Sequence, residues 1–417
     1  MKTSLYSLLF LSAIILPHCQ SAAAPDGNPS RLVTQFWRAQ DDADLNHANS
    51  QLLAASPNVE TLYQWLKAGP EFSSDVPTGL MNLVRVSDDG IEFPYAIRVP
   101  ENYDPQKAYP IEFNLHGGVN RPKLDPNESP WSERYEELSP PDSIIVVPVG
   151  WSDAFWWQDS QAENLPAILR SVKQSYNVDD NRAIMTGVSD GGTGTYFFAF
   201  MQPTEWAAFV PFIGHPGVLR NPRARVSHPI NFTNLKGKPI YIVNSENDRL
   251  YPSQSILPYV KLLEEASADF EFTMIPNGGH NLDWMPGQRA KIDHFKQTAV
   301  RDPLPENVRW STTRTDRYNR NHWLIIDELR SEGQPGRLMV EREDNEFDII
   351  ALYVRRFTLL LNPEEIDFTE PVVVRVNGIT VFEGMVEQSA ETLLKWASKD
   401  RDRQMLFTAE LALKTTK

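Results

Sequence analysis

Ser189 stands in the middle of a glycine-rich stretch, Gly187-Val188-Ser189-Asp190-Gly191, which lies between two apolar segments. A strand, a sharp turn and a helix in this pattern form a nucleophile elbow, which exposes a serine hydroxyl at a helix N-terminus. Glycine two positions before and after the serine removes side chains that would collide where the strand and the helix cross. Because the motif is short, an ordinary glycine-rich turn is the alternative. The rest of the chain must therefore supply an acid, a base and a loop that binds an oxyanion.

Two polar loops downstream of Ser189 carry a candidate acid and a candidate base. Asp248 follows an apolar run that predicts a strand, and Glu246 in the same loop is its competitor. His280 lies in a glycine-rich loop, 276–281, which also follows a predicted strand. The chain order serine, aspartate, histidine is the order found in α/β hydrolases, and it differs from that of the trypsin-like and subtilisin-like enzymes.

A candidate oxyanion loop lies upstream, where a predicted strand ends in His116-Gly117-Gly118. The glycines allow backbone N–H groups to approach a substrate oxygen closely, and the N–H of Asp190 would supply a second donor. In the alternative interpretation His116 is structural and the two glycines only form a turn. Because Asp190 is acidic, we expect its side chain to be directed away from the oxyanion.

An aromatic loop and a further histidine are candidates for the walls of a substrate pocket. Trp151, Trp156 and Trp157 follow another predicted strand, and three indoles on one loop can form a stacking surface for an aromatic or sugar ring. The alternative is that they cap the core beneath the loop. His215 also follows a strand and is either a pocket residue or a hydrogen-bonded loop residue.

The elements that must position these residues indicate an α/β fold. Between residues 79 and 303, apolar strands alternate with amphipathic helices, which predicts βαβ units and a doubly wound, mostly parallel sheet. Residues 304–417 carry strand-like patterns and an Asn377-Gly378 turn typical of a β-hairpin, so we expect a separate, mainly antiparallel β domain.

The N-terminal part divides into a targeting segment and a helical extension. Residues 1–23 combine Lys2, a short apolar run and small residues near position 23, as in a cleaved signal peptide, so we expect a secreted or periplasmic protein. Attachment of lipid at Cys19 is the less favoured alternative, because His18 precedes it. Residues 24–78 have helical periodicity, and Tyr63, Trp65 and Phe72 are expected to pack on the central domain.

Composition excludes some classes of partner. The 417-residue chain has a formal net charge of −15, which argues against nucleic acid or an anionic membrane as the main partner. After the signal segment no apolar run is long enough to span a membrane. The single cysteine lies within that segment, and no histidine pair has the spacing of metal ligands. The sequence thus predicts no cofactor and no metal, and it leaves the oligomeric state open.

Residues 81–300 resemble α/β-hydrolase esterases, in the branch of polyhydroxybutyrate depolymerase-like, feruloyl esterase-like and predicted peptidase-like proteins. The resemblance rests on the stretches 116–118, 176–182, 187–192 and 277–280. It implies that Ser189 is the nucleophile, Asp248 the acid and His280 the base of an enzyme that cleaves carboxylic esters. A prolyl-oligopeptidase-like peptidase and a non-catalytic carbohydrate- or partner-binding protein are the alternatives. Polymer-degrading members usually hold disulfides, which this chain lacks after residue 23.

Overall fold

The computed structural model describes residues 28–125, 128–140, 142–224, 226, 229–331 and 333–415. The predicted signal segment and Cys19 lie outside the described residues.

The central part of the chain is built on an eight-stranded sheet with the order β1-β2-β4-β3-β5-β6-β7-β8. The strands are β1 (Gly79–Val86), β2 (Glu92–Val99), β3 (Tyr109–Leu115), β4 (Ile144–Pro148), β5 (Val178–Val188), β6 (Ala208–Phe212), β7 (Ile240–Ser245) and β8 (Phe270–Ile275). Strand β2 is antiparallel to both neighbours, while β4, β3, β5, β6, β7 and β8 are mutually parallel. The carboxyl ends of the parallel strands therefore meet along one edge, where ligands bind in open α/β sheets.

Helices cover both faces of this sheet. They are α4 (Arg134–Leu138), α5 (Asp159–Ser175), α6 (Asp190–Met201), α7 (Ser253–Glu265) and α8 (Met285–Thr298). Side chains of β5 alternate between the faces: Met185 joins the core with α5 and α6, and Ile184 joins the core with α8. The doubly wound α/β-hydrolase fold predicted from the sequence is confirmed.

Helix α6 is buried on every side, from Gly191 to Met201. A helix that is apolar around its whole circumference belongs in a core, and Phe197, Phe198 and Phe200 supply much of the apolar surface here. Because the residue that begins this helix follows Ser189, the serine is attached to one of the most firmly packed elements of the protein.

Two further sheets form the C-terminal β region. A five-stranded sheet has the order β16-β15-β13-β12-β9, and a four-stranded sheet has the order β10-β11-β14-β17. The elements are β9 (Asn307–Thr312), β10 (Arg320–Asn321), β11 (Leu324–Leu329), β12 (Gly336–Glu343), β13 (Glu346–Leu352), β14 (Val354–Leu361), β15 (Val372–Val376), β16 (Ile379–Gly384), α9 (Ala390–Asp400) and β17 (Ala409–Lys414). Apart from the parallel pair β13 and β15, the pairs are antiparallel. Asn377 and Gly378 join β15 to β16 with φ values of 52° and 79°, as the hairpin signal predicts.

Three N-terminal helices share a core with α9. They are α1 (Pro29–Arg38), α2 (Asp42–Ala55) and α3 (Val59–Ala68), and α1 was not predicted from the sequence. Their cluster includes Leu52, Leu62 and Leu66 together with Leu393 and Leu394 of α9.

The prediction that Tyr63 packs on the central domain is wrong. Its ring lies in the core shared with α9, and its hydroxyl accepts a hydrogen bond from the Asn362 side chain at 3.3 Å. Helical periodicity shows that α3 has an apolar face, but it does not show which distant segment covers that face.

Candidate active site

Ser189 occupies a strained turn between β5 and α6. Its backbone has φ 57° and ψ −115°, a conformation that a non-glycine residue adopts only when its surroundings impose it. The Ser189 N–H donates to the carbonyl oxygen of Phe212 on neighbouring β6 at 2.9 Å, and Thr193 N–H donates to the Ser189 carbonyl at 2.9 Å. These bonds fix the turn from both sides, and the serine remains half-buried and accessible.

The glycines flanking Ser189 are required because strand and helix touch there. A Cβ atom on Gly187 would lie 2.1 Å from the Gly191 carbonyl oxygen, and one on Gly191 would lie 1.9 Å from the Leu115 carbonyl oxygen. Both distances are far shorter than a carbon–oxygen contact allows. The steric argument made from the sequence therefore matches the observed packing.

His280 and Asp248 extend from Ser189 in a line of two hydrogen bonds. His280 Nε2 lies 2.8 Å from Ser189 Oγ, and its Nδ1 lies 2.6 Å from Asp248 Oδ2. Asp248 is buried, and its second oxygen accepts the backbone N–H groups of Leu250 at 2.8 Å and Tyr251 at 2.9 Å. These bonds hold the carboxylate in place, and the carboxylate in turn favours the imidazole tautomer that carries its proton on Nδ1.

Glu246, the competing acid, lies elsewhere in the same loop. It is exposed, and its Oε2 accepts the backbone N–H of Asn277 at 2.9 Å. This contact joins the loop after β7 to the loop after β8, which carries His280. Glu246 therefore supports the loops, while Asp248 contacts the histidine.

The loop after β3 lies directly against the serine. A Cβ atom on Gly117 would be 3.0 Å from Ser189 Cβ, whereas one on Gly118, at φ 66°, would meet nothing within 4 Å. Among the described residues, the N–H groups of Gly117, Gly118 and Asp190 donate to no protein group. Unpaired N–H groups beside a serine hydroxyl are the donors that an oxyanion requires.

The Asp190 side chain binds this loop rather than facing open space. Its Oδ2 accepts the backbone N–H of Val119 at 3.0 Å. Sequence reasoning predicted only that the carboxylate would be directed away from the oxyanion, and the partner it finds was not foreseen.

His116 and Trp156 do not line a pocket, which corrects the prediction for both residues. Trp156 is fully buried, and its Nε1–H donates to the His116 carbonyl oxygen at 2.9 Å. The His116 ring is buried, accepts the Gly150 N–H on Nε2 at 3.0 Å and lies 2.9 Å from the Gly117 carbonyl oxygen on Nδ1. Burial, with a smaller contribution from the nearby charge of Arg121, lowers the pKa of His116 to about 4. Both side chains therefore support the backbone of the glycine loop.

Trp151 and Trp157 are also mostly buried, and the stacking surface that they were expected to form remains a prediction. Trp157 is 4% exposed and donates its Nε1–H to the Ala224 carbonyl oxygen at 2.7 Å. Trp151 is 5% exposed and packs its ring on Phe93, with the ring centroids 5.3 Å apart. The alternative, in which the indoles cap the core beneath the loop, agrees with these contacts.

His215 reaches the site through Tyr251, a residue that sequence reasoning missed. The ring centroids of His215 and Tyr251 are 5.2 Å apart, and those of Tyr251 and His280 are 5.6 Å apart. Burial raises the pKa of Tyr251 to about 12, with the charge of Asp190 as the next cause, so its hydroxyl stays neutral. The position of Tyr251 three residues after Asp248 was the only available signal. A pocket role for His215 remains a prediction.

The tautomer of His215 follows from its contacts. Its Nδ1 accepts the Gly217 N–H at 2.9 Å, so the proton lies on Nε2, which is 3.1 Å from Ser255 Oγ. Burial lowers the pKa of this imidazole. His215 is thus a neutral, fixed ring at the edge of the site.

No group of three His, Cys, Asp or Glu side chains among the described residues is arranged to hold a metal ion. None of the helices in these parts of the chain is long and apolar enough to cross a membrane.

The arrangement at Ser189 can carry out nucleophilic chemistry. A serine hydroxyl bonded to an imidazole that is oriented by a buried carboxylate can lose its proton to the imidazole as it attacks a carbonyl carbon. Neighbouring N–H groups can stabilise the resulting oxyanion. The fold is that of the α/β hydrolases, and Ser189, His280 and Asp248 have the arrangement that a serine–histidine–aspartate site requires.

Known proteins that match the chain include esterases. It is 27% identical over 169 residues to a bifunctional acetylxylan esterase/xylanase of Neocallimastix patriciarum, which covers 40% of this chain and 23% of that protein. It is 29% identical over 120 residues to feruloyl esterase C of Emericella nidulans, covering 27% of this chain and 43% of that protein. The resemblance predicted from the motifs is confirmed by these matches.

A peptidase matches as well. Dipeptidyl aminopeptidase A of Saccharomyces cerevisiae is 23% identical over 238 residues, covering 49% of this chain and 25% of that protein. The chain thus spans less than half of the length of each of these three relatives. No family model matches it.

Proposed function

We propose that this protein is a serine hydrolase that cleaves carboxylic esters through an acyl-enzyme. The observation that carries the proposal is the pair of hydrogen bonds from His280, 2.8 Å to Ser189 Oγ and 2.6 Å to Asp248 Oδ2. The free N–H groups around Gly117 and at Asp190 support it, because acyl transfer requires a site for the oxyanion.

The reaction follows from the positions of these groups. His280 Nε2 takes the Ser189 hydroxyl proton as Oγ bonds to the ester carbonyl carbon, and the carbonyl oxygen becomes an oxyanion. When the tetrahedral intermediate collapses, the bond to the alcohol oxygen breaks and that oxygen receives the proton from Nε2. A water molecule then loses a proton to His280 Nε2 as its oxygen attacks the acyl carbon. When this second tetrahedral intermediate collapses, the bond to Ser189 Oγ breaks, Oγ takes the proton from Nε2, and the acid is released. Asp248 stabilises the imidazolium that forms in each half of the cycle.

Backbone N–H groups provide much of the electrostatic stabilisation of the oxyanion. Loss of one oxyanion donor in serine hydrolases costs about 3–4 kcal/mol of transition-state stabilisation. The donors proposed here are the N–H of Asp190 and an N–H in the Gly117–Gly118 segment. They need no reorganisation during the reaction, because the elbow and the glycine loop are held by the contacts of Ser189, Asp190 and Trp156.

The similarity to acetylxylan and feruloyl esterases supports an ester substrate. A peptidase is the second candidate, favoured by the similarity to a dipeptidyl aminopeptidase over about half of this chain. Both reactions use the same three residues, so geometry at Ser189 does not separate them. Ester and amide hydrolysis differ in the leaving group, because an amine must be protonated as it departs, whereas an alcohol is a better leaving group.

Hydrolysis of matched substrates tests the proposal. We expect p-nitrophenyl esters of short acids to be cleaved with kcat/KM far above that for peptidyl p-nitroanilides, and Ser189→Ala to lower ester kcat by at least about 10⁴-fold. Strong anilide cleavage with weak ester turnover would favour the peptidase. If the esterase rate is unchanged in Ser189→Ala, Ser189 is not the nucleophile and both candidates are wrong. If the wild type hydrolyses neither substrate, a non-catalytic binding protein becomes the better account.

We also propose that residues 1–23 direct export and are removed, on the basis of their charged, apolar and small-residue segments. N-terminal sequencing of protein recovered from the periplasm or medium should begin near residue 24. A mature N-terminus at a lipid-modified Cys19 would instead indicate a membrane anchor.

A further inference from the structure

A basic pocket lies where three segments of the chain meet. Its walls include Arg170 and Lys173 of α5, Arg401 and Arg403 just after α9, and Trp37 from α1. Among the described residues, Asp180 is the only carboxylate in its lining. Four basic side chains thus face one acidic side chain in a protein whose net charge is −15.

The carboxylates near the pocket are already paired. Asp180 accepts Lys173 Nζ at 2.7 Å and Arg403 Nε at 2.9 Å. Asp402, which lies behind the pocket, contacts Lys173 Nζ at 3.6 Å and Arg301 Nη1 at 2.8 Å. These two carboxylates are therefore paired with three basic side chains, and neither of them pairs with Arg170 or Arg401.

Neither of these two guanidinium groups has an acidic partner among the described residues. Arg401 donates to the carbonyl oxygens of Phe36 at 2.6 Å and Ala39 at 3.2 Å, at the C-terminus of α1. Burial, together with the charge of Arg170, lowers the pKa of Arg401 to about 10. Arg170 makes no hydrogen bond or ion pair within the described residues. Burial raises the pKa of the nearby Glu205 and the charge of Arg170 lowers it in part, so the two groups interact without forming an ion pair.

The free space is small. The cavity between these side chains measures about 20 Å³. A cavity of roughly 10–15 Å³ or more is enough for one water-sized group. A monatomic anion fits this space, as does a single oxygen of an oxyanion whose remaining atoms lie in the mouth of the pocket. Organic ligands do not fit it.

We infer that this pocket binds a compact inorganic anion, either a halide or one oxygen of phosphate or sulfate, between Arg170 and Arg401. The anion neutralises two like charges that line one small pocket and that no carboxylate among the described residues pairs with. Because Arg170 belongs to α5 and Arg401 caps α1, the bound anion joins the N-terminal helices and the segment after α9 to the hydrolase core. It is thus a structural ligand, at a site separate from Ser189.

Thermal unfolding at constant ionic strength tests the inference. Chloride, bromide, phosphate and sulfate each replace gluconate, a bulky anion that does not fit the cavity. We expect the melting temperature to rise with the concentration of at least one small anion and to saturate, since a ligand that binds only the folded state stabilises it by mass action. A halide response without a phosphate or sulfate response would identify a monatomic ligand, and the reverse would identify an oxyanion. Melting temperatures that follow ionic strength alone would overturn the inference.

The variant Arg170→Gln makes the test more specific. Its control is Arg182→Gln, which removes the same charge from an exposed side chain that lies 3.6 Å from Asp179. In gluconate Arg170→Gln should melt above the wild type, because the repulsion with Arg401 is gone. At a saturating concentration of the small anion, the wild type should instead melt above Arg170→Gln. The anion concentration that gives half of the maximal stabilisation should be at least about tenfold higher for the variant. The same order in both salts would contradict the inference.

A crystallographic measurement does not depend on the variant. Crystals of the wild-type protein soaked in bromide should show an anomalous peak between the Arg170 and Arg401 guanidinium groups if the ligand is a halide. If thermal unfolding indicates an oxyanion, arsenate serves as the scatterer instead. No peak at this position for either ion would overturn the inference, even if Arg170→Gln fails to fold.

Discussion

The carboxylate of Asp190 binds the backbone N–H of Val119, with Oδ2 3.0 Å from the nitrogen. This bond joins the residue after the serine to the end of the glycine loop that faces it. It places a negative charge close to a proposed oxyanion site, which by itself would disfavour the transition state. We interpret the residue as a positioning group, since it fixes the distance between the two backbone segments whose N–H groups would bind the oxyanion.

Substitution of Asp190 separates its charge from its hydrogen bond. Asp190→Ala removes the acceptor, so the glycine loop loses its attachment, and we expect kcat for ester hydrolysis to fall about ten- to a hundredfold. Asp190→Asn keeps an oxygen that can accept the Val119 N–H, and it should retain activity within a few-fold of the wild type. Steady-state kinetics of the two variants check this. Equal losses in both would mean that the charge, and not the bond, is what matters.

The two acids after β7 should differ sharply in their effect on catalysis. Asp248→Asn keeps the shape of the side chain but favours the wrong tautomer of His280, and we expect kcat to fall about 10³- to 10⁴-fold. Glu246→Gln, which retains an acceptor for the Asn277 N–H, should change kcat by less than about threefold. Kinetics of both variants, with circular dichroism to verify folding, provide the comparison. A larger loss in the Glu246 variant would show that the acid is misassigned.

The loss of stability caused by a glycine substitution in the site should depend on the distance between the added Cβ atom and its nearest neighbour. Gly191→Ala places a Cβ 1.9 Å from the Leu115 carbonyl oxygen, so we expect the free energy of unfolding to fall by about 3 kcal/mol or more. Gly279→Ala, where the nearest atom is 3.9 Å away, should change it by less than about 1 kcal/mol. Urea unfolding of the two variants measures the difference, and equal stabilities would refute the steric account of the elbow.

The neutral, buried His116 should make stability depend on pH. Its pKa is about 4 in the folded protein and 6.5 as an ordinary imidazole, so below pH 6.5 the unfolded chain binds a proton that the folded protein does not. Stability is therefore lost as the pH falls, by about 2 kcal/mol from this residue between pH 7 and pH 5.

His116→Gln retains an acceptor for the Gly150 N–H and does not titrate. Urea unfolding at pH 7 and pH 5 should show that the variant loses less stability on acidification than the wild type does, by about that amount. His215 and His322, whose pKa values burial also lowers, remain in both proteins and cancel from the comparison. An identical pH dependence in the two proteins would mean that His116 is not held neutral.

Much of the site could be predicted because its requirements are local. The glycine spacing around Ser189, the glycine loop at the end of β3 and the order of Asp248 and His280 are properties of short segments. Strand β8 begins and ends at the predicted residues, 270 and 275, since a polar loop precedes it and the glycines of the His280 loop follow it.

What escaped prediction depends on contacts between distant segments. Trp156 lies on a loop at the catalytic edge, but only the folded structure shows that its indole supports the His116 carbonyl from below. The covering of Tyr63 by α9 and the contact of Tyr251 with His280 are of the same kind. The sequence shows which apolar and aromatic side chains must pack against other residues, but it does not show which segment provides those contacts.

The most direct test of the central claim is covalent labelling of the serine itself. A fluorophosphonate probe reacts with a serine only when a neighbouring base activates its hydroxyl. After incubation and proteolysis, mass spectrometry should find one stoichiometric adduct on the peptide that contains Ser189, with loss of ester hydrolysis in proportion. Asp248→Asn should slow the labelling, and Ser189→Ala should abolish it. Full ester turnover with no adduct on Ser189, or labelling of another residue that tracks the loss of activity, would contradict the account.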